Sequence, residues 1–568
     1  MSRLVRSVLL MAVSVELLTL AACSKSGQGA RAGQPTPAPT ATPMPTPTPA
    51  PGNRMELGTN TTGMDDWSTE FTFVDAFRNS RPWAPCTNRV QDQPPLQHPL
   101  DLDSNGWVRS LPPNDSAGVH CAETLMYWDL SGAPGSFPSG AYTVTFTGTG
   151  TLSYGGSVAS VGPATQSGNI TTQTITVDPT LRRGGIQLFI TFTDPNNYVR
   201  DIHVMLPGFA SATDRWHPDF IQSIQNYRVI RYQNWILGQN RGSIGATQDT
   251  WDHRPTPNDA QWSVRGLPVE IMVELSNRVH ADMWVNVPHV ADDNYVTQFA
   301  TTIAQQLDPS LKVYVEHSNE VWNGIYPQHA YAVSQGLALG LSTNPAEAAI
   351  RYHALRSRQI FDIFQNVFQQ NGIPQSRLVR VLASFAGSQA VTNTAITFSD
   401  TASHVDAIAI APYFGVIGQN NLQRVQNMTP QQLIQDLLTN QDPVAAPGAI
   451  PTVMNQVRQH VVIGQRFGIP VISYEGGQSL ATSGGGTLTG DPTLEALFAA
   501  VNRDPGFGQL YSQYLQEWND STGSGLFLHY TNCLRYGPSA YFGSLEYINQ
   551  PRGSAPKYDA LQRWIEGH

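Results

Sequence analysis

The sequence predicts an α/β fold, a (β/α)8 barrel of the TIM type interrupted early by an inserted antiparallel β-sandwich. Three observations predict it. After Gly208 short apolar segments alternate with longer stretches of helical periodicity. Two of those segments end abruptly in a glutamate with polar neighbours, at Glu320 and at Glu475, as barrel strands do where they deliver side chains to the C-terminal mouth. Between about 100 and 208 the pattern switches to period-two alternation broken by Gly, Pro, Asn and Ser, which is the pattern of antiparallel strands.

In chain order, residues 1–22 carry Arg3 and Arg6, an apolar run and then Leu20-Ala21-Ala22-Cys23. This resembles a bacterial lipoprotein signal, which implies lipidation of Cys23 as the mature N-terminus. The run is too short and too interrupted, by Glu16 among others, for a membrane span. Residues 23–52 are Pro, Thr, Ala, Gly and Ser with almost nothing to bury. They read as an extended tether holding the folded part off a membrane surface, on the outward or periplasmic side of a bacterial envelope.

Residues 53–99 open the barrel. Met55 to Asn60 reads as its first strand, and WSTEFTFVDAF, residues 67–77, has apolar residues at helical spacing. The sandwich, residues 100–208, contains Tyr142–Phe146, Thr151–Tyr154, Thr172–Val177, Ile186–Phe192 and Val199–Val204 as its strands. Its architecture resembles carbohydrate-binding modules; a lid without a ligand explains the same pattern. Residues 209–568 complete the barrel with strands at Tyr227–Arg231, Met283–Val287, Leu311 onward, Leu378–Leu382, Ala402–Ala411, Val471 onward and Leu526–His529. Counting Met55 as first, Glu320 ends the fourth strand and Glu475 the seventh.

The chemistry follows from that pair. Two glutamates at matching strand ends fit the acid and the nucleophile of retaining glycoside hydrolysis, which needs one protonated and one ionised carboxyl about 5 Å apart. Salt-bridged structural glutamates are the alternative for either. Asn319-Glu320 and Tyr474-Glu475 at these positions resemble the large clan A of retaining glycosidases built on (β/α)8 barrels, and HSNEVWN with the later YEGG is similar to secreted bacterial proteins loosely described as cellulose-binding. In that clan the Asn-Glu closing the fourth strand supplies the acid/base and the glutamate ending the seventh is the nucleophile. The resemblance further implies that Asn319 bonds the sugar 2-hydroxyl and that Tyr413 bonds the nucleophile. Arg231, Asn234 and Trp235 after the second strand, His289 after the third, Trp322 beside the acid and His529 on the eighth complete the expected substrate contacts. Arg231 has another option, an ion pair with Glu316, which shares the parity of Glu320. Where many clan members place a sugar-stacking tryptophan, the eighth strand here has His529-Tyr530.

Composition bounds the partners. With 33 basic against 43 acidic residues and a pI near 5.7, nucleic acid is not an expected partner. Charged residues are only 13%, alongside 12 Trp and 20 Tyr, which suits neutral polyols such as a polysaccharide. Of four cysteines, Cys86 and Cys121 are the local pair for a disulfide and Cys533 is left as a buried thiol. No cofactor or metal is expected, although His289 with Asp292 and Asp293 is a set of possible ligands. A monomer is expected. A surface glycan-binding lipoprotein whose barrel is no longer catalytic is the competing reading.

Overall fold

Leu57–Asn60, LGTN, is short and buried throughout, and its glycine shows why. A Cβ on Gly58 would lie 2.6 Å from the Val229 carbonyl and 2.8 Å from Leu528, so only glycine lets the neighbouring chains approach this closely. This is β1 of the barrel. In the computed structural model β2 is Val229–Arg231, β3 Asp282–Val287, β4 Val313–His317, β5 Leu378–Ala383, β6 Ala407–Ile410, β7 Val471–Ser473 and β8 Phe527–His529. The structure describes residues 54–567 apart from 87–99, 112–119, 129, 131–134, 182–183, 238–247, 419–420, 442–447, 482–489 and 539–540. The signal, the tether and Cys23 lie outside the described residues.

The eight strands form one sheet in the order β7-β6-β5-β4-β3-β2-β1-β8, with every pair parallel. Across the remaining seam the Ser473 N–H donates to the Leu526 carbonyl at 2.9 Å. The strands read as near-continuous apolar runs because helices cover one face and the barrel interior covers the other. Val229, Trp284, Tyr314, Val381, Ala409, Ile472 and Leu528 belong to the buried cluster that fills that interior, and Trp284 stacks on Tyr314 at 5.3 Å. Helices Val269–Val279, Asp293–Gln306, Pro327–Ala338, Pro345–Gln370, Ile450–Phe467, Pro492–Arg503, Pro505–Thr522 and Pro556–Glu566 lie where helical periodicity predicts them or between. Among the described residues no helix is long and apolar enough to cross a membrane.

The helix predicted over 67–77 does not form. Phe73 and Asp75 instead bridge to Trp216 and Met205, and only Ala76–Asn79 makes a 3-10 turn. Asp75 diverts the chain: its carboxylate accepts from the Phe77 and Val204 N–H groups and meets His203 at 2.8 Å, offering the backbone partners that a helix would otherwise supply. The first helix on the barrel is therefore Pro218–Ile224, just before β2.

Among the described residues two larger antiparallel sheets lie between β1 and β2, with a small third that pairs Asp101–Leu102 with Val108–Ser110. One pairs Arg200–Met205, Gly140–Thr147, Ile170–Val177 and Val158–Val161, with Thr165–Ser167 at its margin; the other pairs Ala84–Pro85, Ala122–Met126, Ile186–Thr193 and Gly150–Gly156. The pairing of Ala84–Pro85 with Glu123 and Ala122 starts this region earlier than residue 100. Cys86 and Cys121 are disulfide-bonded with their Cα atoms 5.4 Å apart. Cys533 is a buried free thiol.

Candidate active site

The site is built around one arginine. Arg231, the last residue of β2, is fully buried, and all five of its N–H donors are taken. Nε and Nη2 bond the two oxygens of Glu316 at 3.0 Å each. The other Nη2 hydrogen goes to Asn319 Oδ1 at 3.0 Å. Nη1 bonds Asn60 Oδ1 at 3.0 Å and Glu475 Oε1 at 2.7 Å. Burial works against the guanidinium charge, but Glu316 and Glu475 outweigh it and hold the pKa above that of an ordinary arginine. The planar fork thus ties β1, β2, β4 and the residues after β7 into one rigid unit. Arg231 consequently has no donor left for a substrate, and the substrate-contact reading of it gives way to the pairing with Glu316.

Glu475 stands two residues beyond β7 and is nearly buried. Its Oε2 accepts from the Tyr413 hydroxyl at 2.9 Å while Oε1 faces Arg231. Burial, then the charge of Glu475, raises Tyr413 well above the usual phenol range, so it stays a donor. Glu320 follows β4 after a sharp turn in which Ser318 has φ 60° and Glu320 itself φ 45°. A non-glycine residue in the left-handed region carries strain, which the surrounding bonds hold in place. Asn286 Nδ2 bonds the Ser318 carbonyl at 2.7 Å, and Gln328 Nε2 the Asn319 carbonyl at 2.7 Å.

The two glutamates sit in unlike settings. Glu320 is partly exposed and receives Asn323 Nδ2 at 3.0 Å and the Tyr474 hydroxyl at 3.4 Å. Burial first, and the negative charge of Glu475 second, push its pKa up to about 7 against the opposing pull of Asn323, Arg231 and Tyr474. Asn319 gives its oxygen to Arg231, which leaves its amide hydrogens as the end able to meet a hydroxyl.

The remaining predicted contacts divide. Trp322 is partly exposed and packs against Tyr474 at 6.0 Å and His353 at 6.4 Å. Asn234 is buried and bonds the Thr61 carbonyl at 2.7 Å and the Tyr530 hydroxyl at 3.3 Å. Trp235 is fully buried, stacked on Trp216 at 6.2 Å with Nε1 on the Thr62 carbonyl at 2.8 Å. His529 is fully buried against Tyr511 at 5.7 Å, and burial takes its pKa down to about 3. Neither Trp235 nor His529 presents a face to a ligand, so both are corrected from contacts to packing residues. His289 lies edge-on to Tyr331 at 5.2 Å, with burial lowering its pKa to about 4. Its expected partners point elsewhere: Asp292 caps a helix through the Tyr295 N–H, and Asp293 pairs with Arg356 at 2.6 Å. Among the described residues no group of three His, Cys, Asp or Glu side chains is placed to hold a metal.

Sequence reasoning gave no role to Asn60, Asn323 and Phe542, and named Tyr474 and Tyr530 only as strand-end neighbours of Glu475 and His529. Asn60 could have been found, because it ends β1 as Arg231 ends β2; its amide bonds the Tyr474 and His529 carbonyls at 3.0 and 3.3 Å. Tyr530 and Phe542 pack around Tyr413 at 6.4 and 5.8 Å, both buried, so the eighth-strand position holds an aromatic cluster without a tryptophan.

No family model matches the chain, and no curated protein does. Among solved structures it is similar to a modular endo-β-1,4-mannanase from Cellulomonas fimi, at 11% identity over 59% of this chain and 62% of that one, with a TM-score of 0.31. It is also similar to an arabinose-bound α-L-arabinofuranosidase, at 11% identity, coverage of 87% and 78%, and TM-score 0.37. A third is a family 5 glycoside hydrolase from Prevotella bryantii, at 12% identity, coverage of 61% and 84%, and TM-score 0.32. The chain spans less than two thirds of the mannanase, with 62% covered. These neighbours are glycoside hydrolases.

Proposed function

We propose that this protein is a retaining glycoside hydrolase that cleaves β-glycosidic bonds of a polysaccharide by double displacement. The observation that carries the reading is the unlike setting of the two carboxyls: Glu320 is raised to about 7, whereas Glu475 receives a guanidinium and a phenol on its two oxygens. Glu475 attacks the anomeric carbon and forms a glycosyl ester while the bond to the leaving oxygen breaks and Glu320 gives that oxygen its proton. Glu320, now a carboxylate, removes a proton from water, whose oxygen displaces Glu475 and restores the starting state with retained configuration. Asn319 bonds the 2-hydroxyl, and Tyr413 holds Glu475 in line for attack. A carboxylate separation of about 5 Å is expected in a crystal structure.

The test is a pH profile. Glu320 acts in its protonated form, so rising pH removes the active species. On a substrate with a poor leaving group kcat/KM should fall about tenfold per pH unit above roughly pH 7. A profile flat to pH 9 would remove Glu320 as the acid.

The surroundings extend the same reading. The two larger antiparallel sheets between β1 and β2 form a β-sandwich that supports glycan binding, and the Pro/Thr-rich stretch tethers the barrel to a membrane through lipidated Cys23. Cys23→Ala should move the protein from the membrane to the soluble fraction; retention in the membrane would refute the anchor.

A further inference from the structure

Asn323 has no role in a mechanism of two glutamates, yet it is the closer of the two side-chain donors on Glu320, at 3.0 Å against 3.4 Å for Tyr474. Its own N–H bonds the Glu320 carbonyl at 2.9 Å, so residues 320–323 make a turn that folds the amide back over the carboxyl. The amide is oriented from its other end: Oδ1 accepts from the Ile325 N–H at 3.3 Å, leaving Nδ2 to face Glu320 Oε2. The Tyr326 N–H on the Asn323 carbonyl, at 3.1 Å, closes the next turn.

A carboxylic acid has one carbonyl and one hydroxyl oxygen, and an N–H donor bonds the carbonyl more strongly because its lone pairs are richer. We propose that Asn323 is a positioning residue that holds Oε2 of Glu320 as the carbonyl oxygen, so that the transferable hydrogen resides on Oε1, beside Tyr474. The same N–H stabilises the carboxylate left after transfer. This rests on Glu320 being the acid. The charged and titratable groups facing Glu320 are Glu475, Arg231, Tyr474 and Tyr413. Burial and Glu475 favour the neutral acid, whereas Asn323, Arg231 and Tyr474 favour the anion. Loss of the Asn323 donor should therefore make Glu320 a weaker acid.

The experiment follows Glu320 directly by carbon NMR of protein labelled at glutamate Cδ, the resonance assigned by its loss in Glu320→Gln. In Asn323→Ala the titration midpoint should rise by about one pH unit. It should rise further in the isosteric Asn323→Asp, which sets a negative charge where a donor stood. A parallel assay uses phenyl and 2,4-dinitrophenyl β-cellobiosides and β-mannobiosides. The alkaline limb should move with the midpoint, and the phenyl substrates should lose more kcat/KM than the dinitrophenyl ones. A midpoint unmoved in both variants overturns the proposal. A midpoint that moves in a protein cleaving none of these glycosides supports the hold of Asn323 on the Glu320 carboxyl but overturns its part in proton transfer, together with the hydrolase reading.

Discussion

Glu320→Ala should lose roughly a hundredfold to ten-thousandfold in kcat/KM on glycosides with poor leaving groups, yet remain near wild type on activated aryl glycosides in the glycosylation step. A dinitrophenolate departs without a proton, so removing the acid costs little there. The covalent intermediate then accumulates because no base activates water. Azide needs no base and should restore turnover, giving a glycosyl azide of retained configuration. Glu475→Ala should abolish retaining turnover on both kinds of substrate. Equal loss on both substrate kinds in Glu320→Ala, with no azide rescue and binding intact, would sink the assignment and favour a glycan-binding role.

Arg231→Met should be the most destabilising single change in the barrel interior. It removes the cation between two carboxylates, one of them Glu316 with no exposed surface, and breaking a buried ion pair from one side costs about 3–5 kcal/mol. Trp284 Nε1 would remain as a donor to Glu316, at 2.8 Å, too little to compensate a full charge. Adding Glu316→Gln should recover much of the stability, since the fully buried uncompensated charge is then gone, but none of the activity, since Glu475, Asn319 and Asn60 still lack the bonds that Arg231 gives them. Denaturant midpoints and kcat on the same three proteins decide it. A single variant as stable as wild type, or a double variant that regains kcat, would contradict the organising role of the arginine.

Much of this was legible because buried parallel strands are continuous apolar runs, which mark their own ends. Glu320 and Glu475 were legible for that reason, and the parity of Glu316 pointed to the arginine. A strand end, however, fixes nearness to the mouth without fixing the side-chain direction. Leu526 and Leu528 belong to the cluster filling the barrel interior, so alternation sends His529 outward and the next position inward, where Tyr530 meets Tyr413 at 6.4 Å. Trp235 was misread likewise, because it follows β2 in a short helix, Gln233–Leu237, whose packing on Trp216 depends on residues distant in sequence. The failed helix at 67–77 shows a local carboxylate, Asp75, overriding an apolar periodicity. The strained turn at Glu320 left no mark in the sequence at all.

The pairing of β1 with β8 has a temporal consequence. Asn60 bonds the His529 carbonyl across 469 residues of sequence, so one flank of β1 has no partner until nearly the whole chain exists. Closure of so distant a contact is slow and leaves an adhesive strand edge open in the meantime. Until the last strand arrives the bond from Asn60 to the His529 carbonyl cannot form, so the mouth of the barrel is completed only at the end of synthesis. A chain stopped short of Phe527 would leave that flank of β1 open to pairing with other chains.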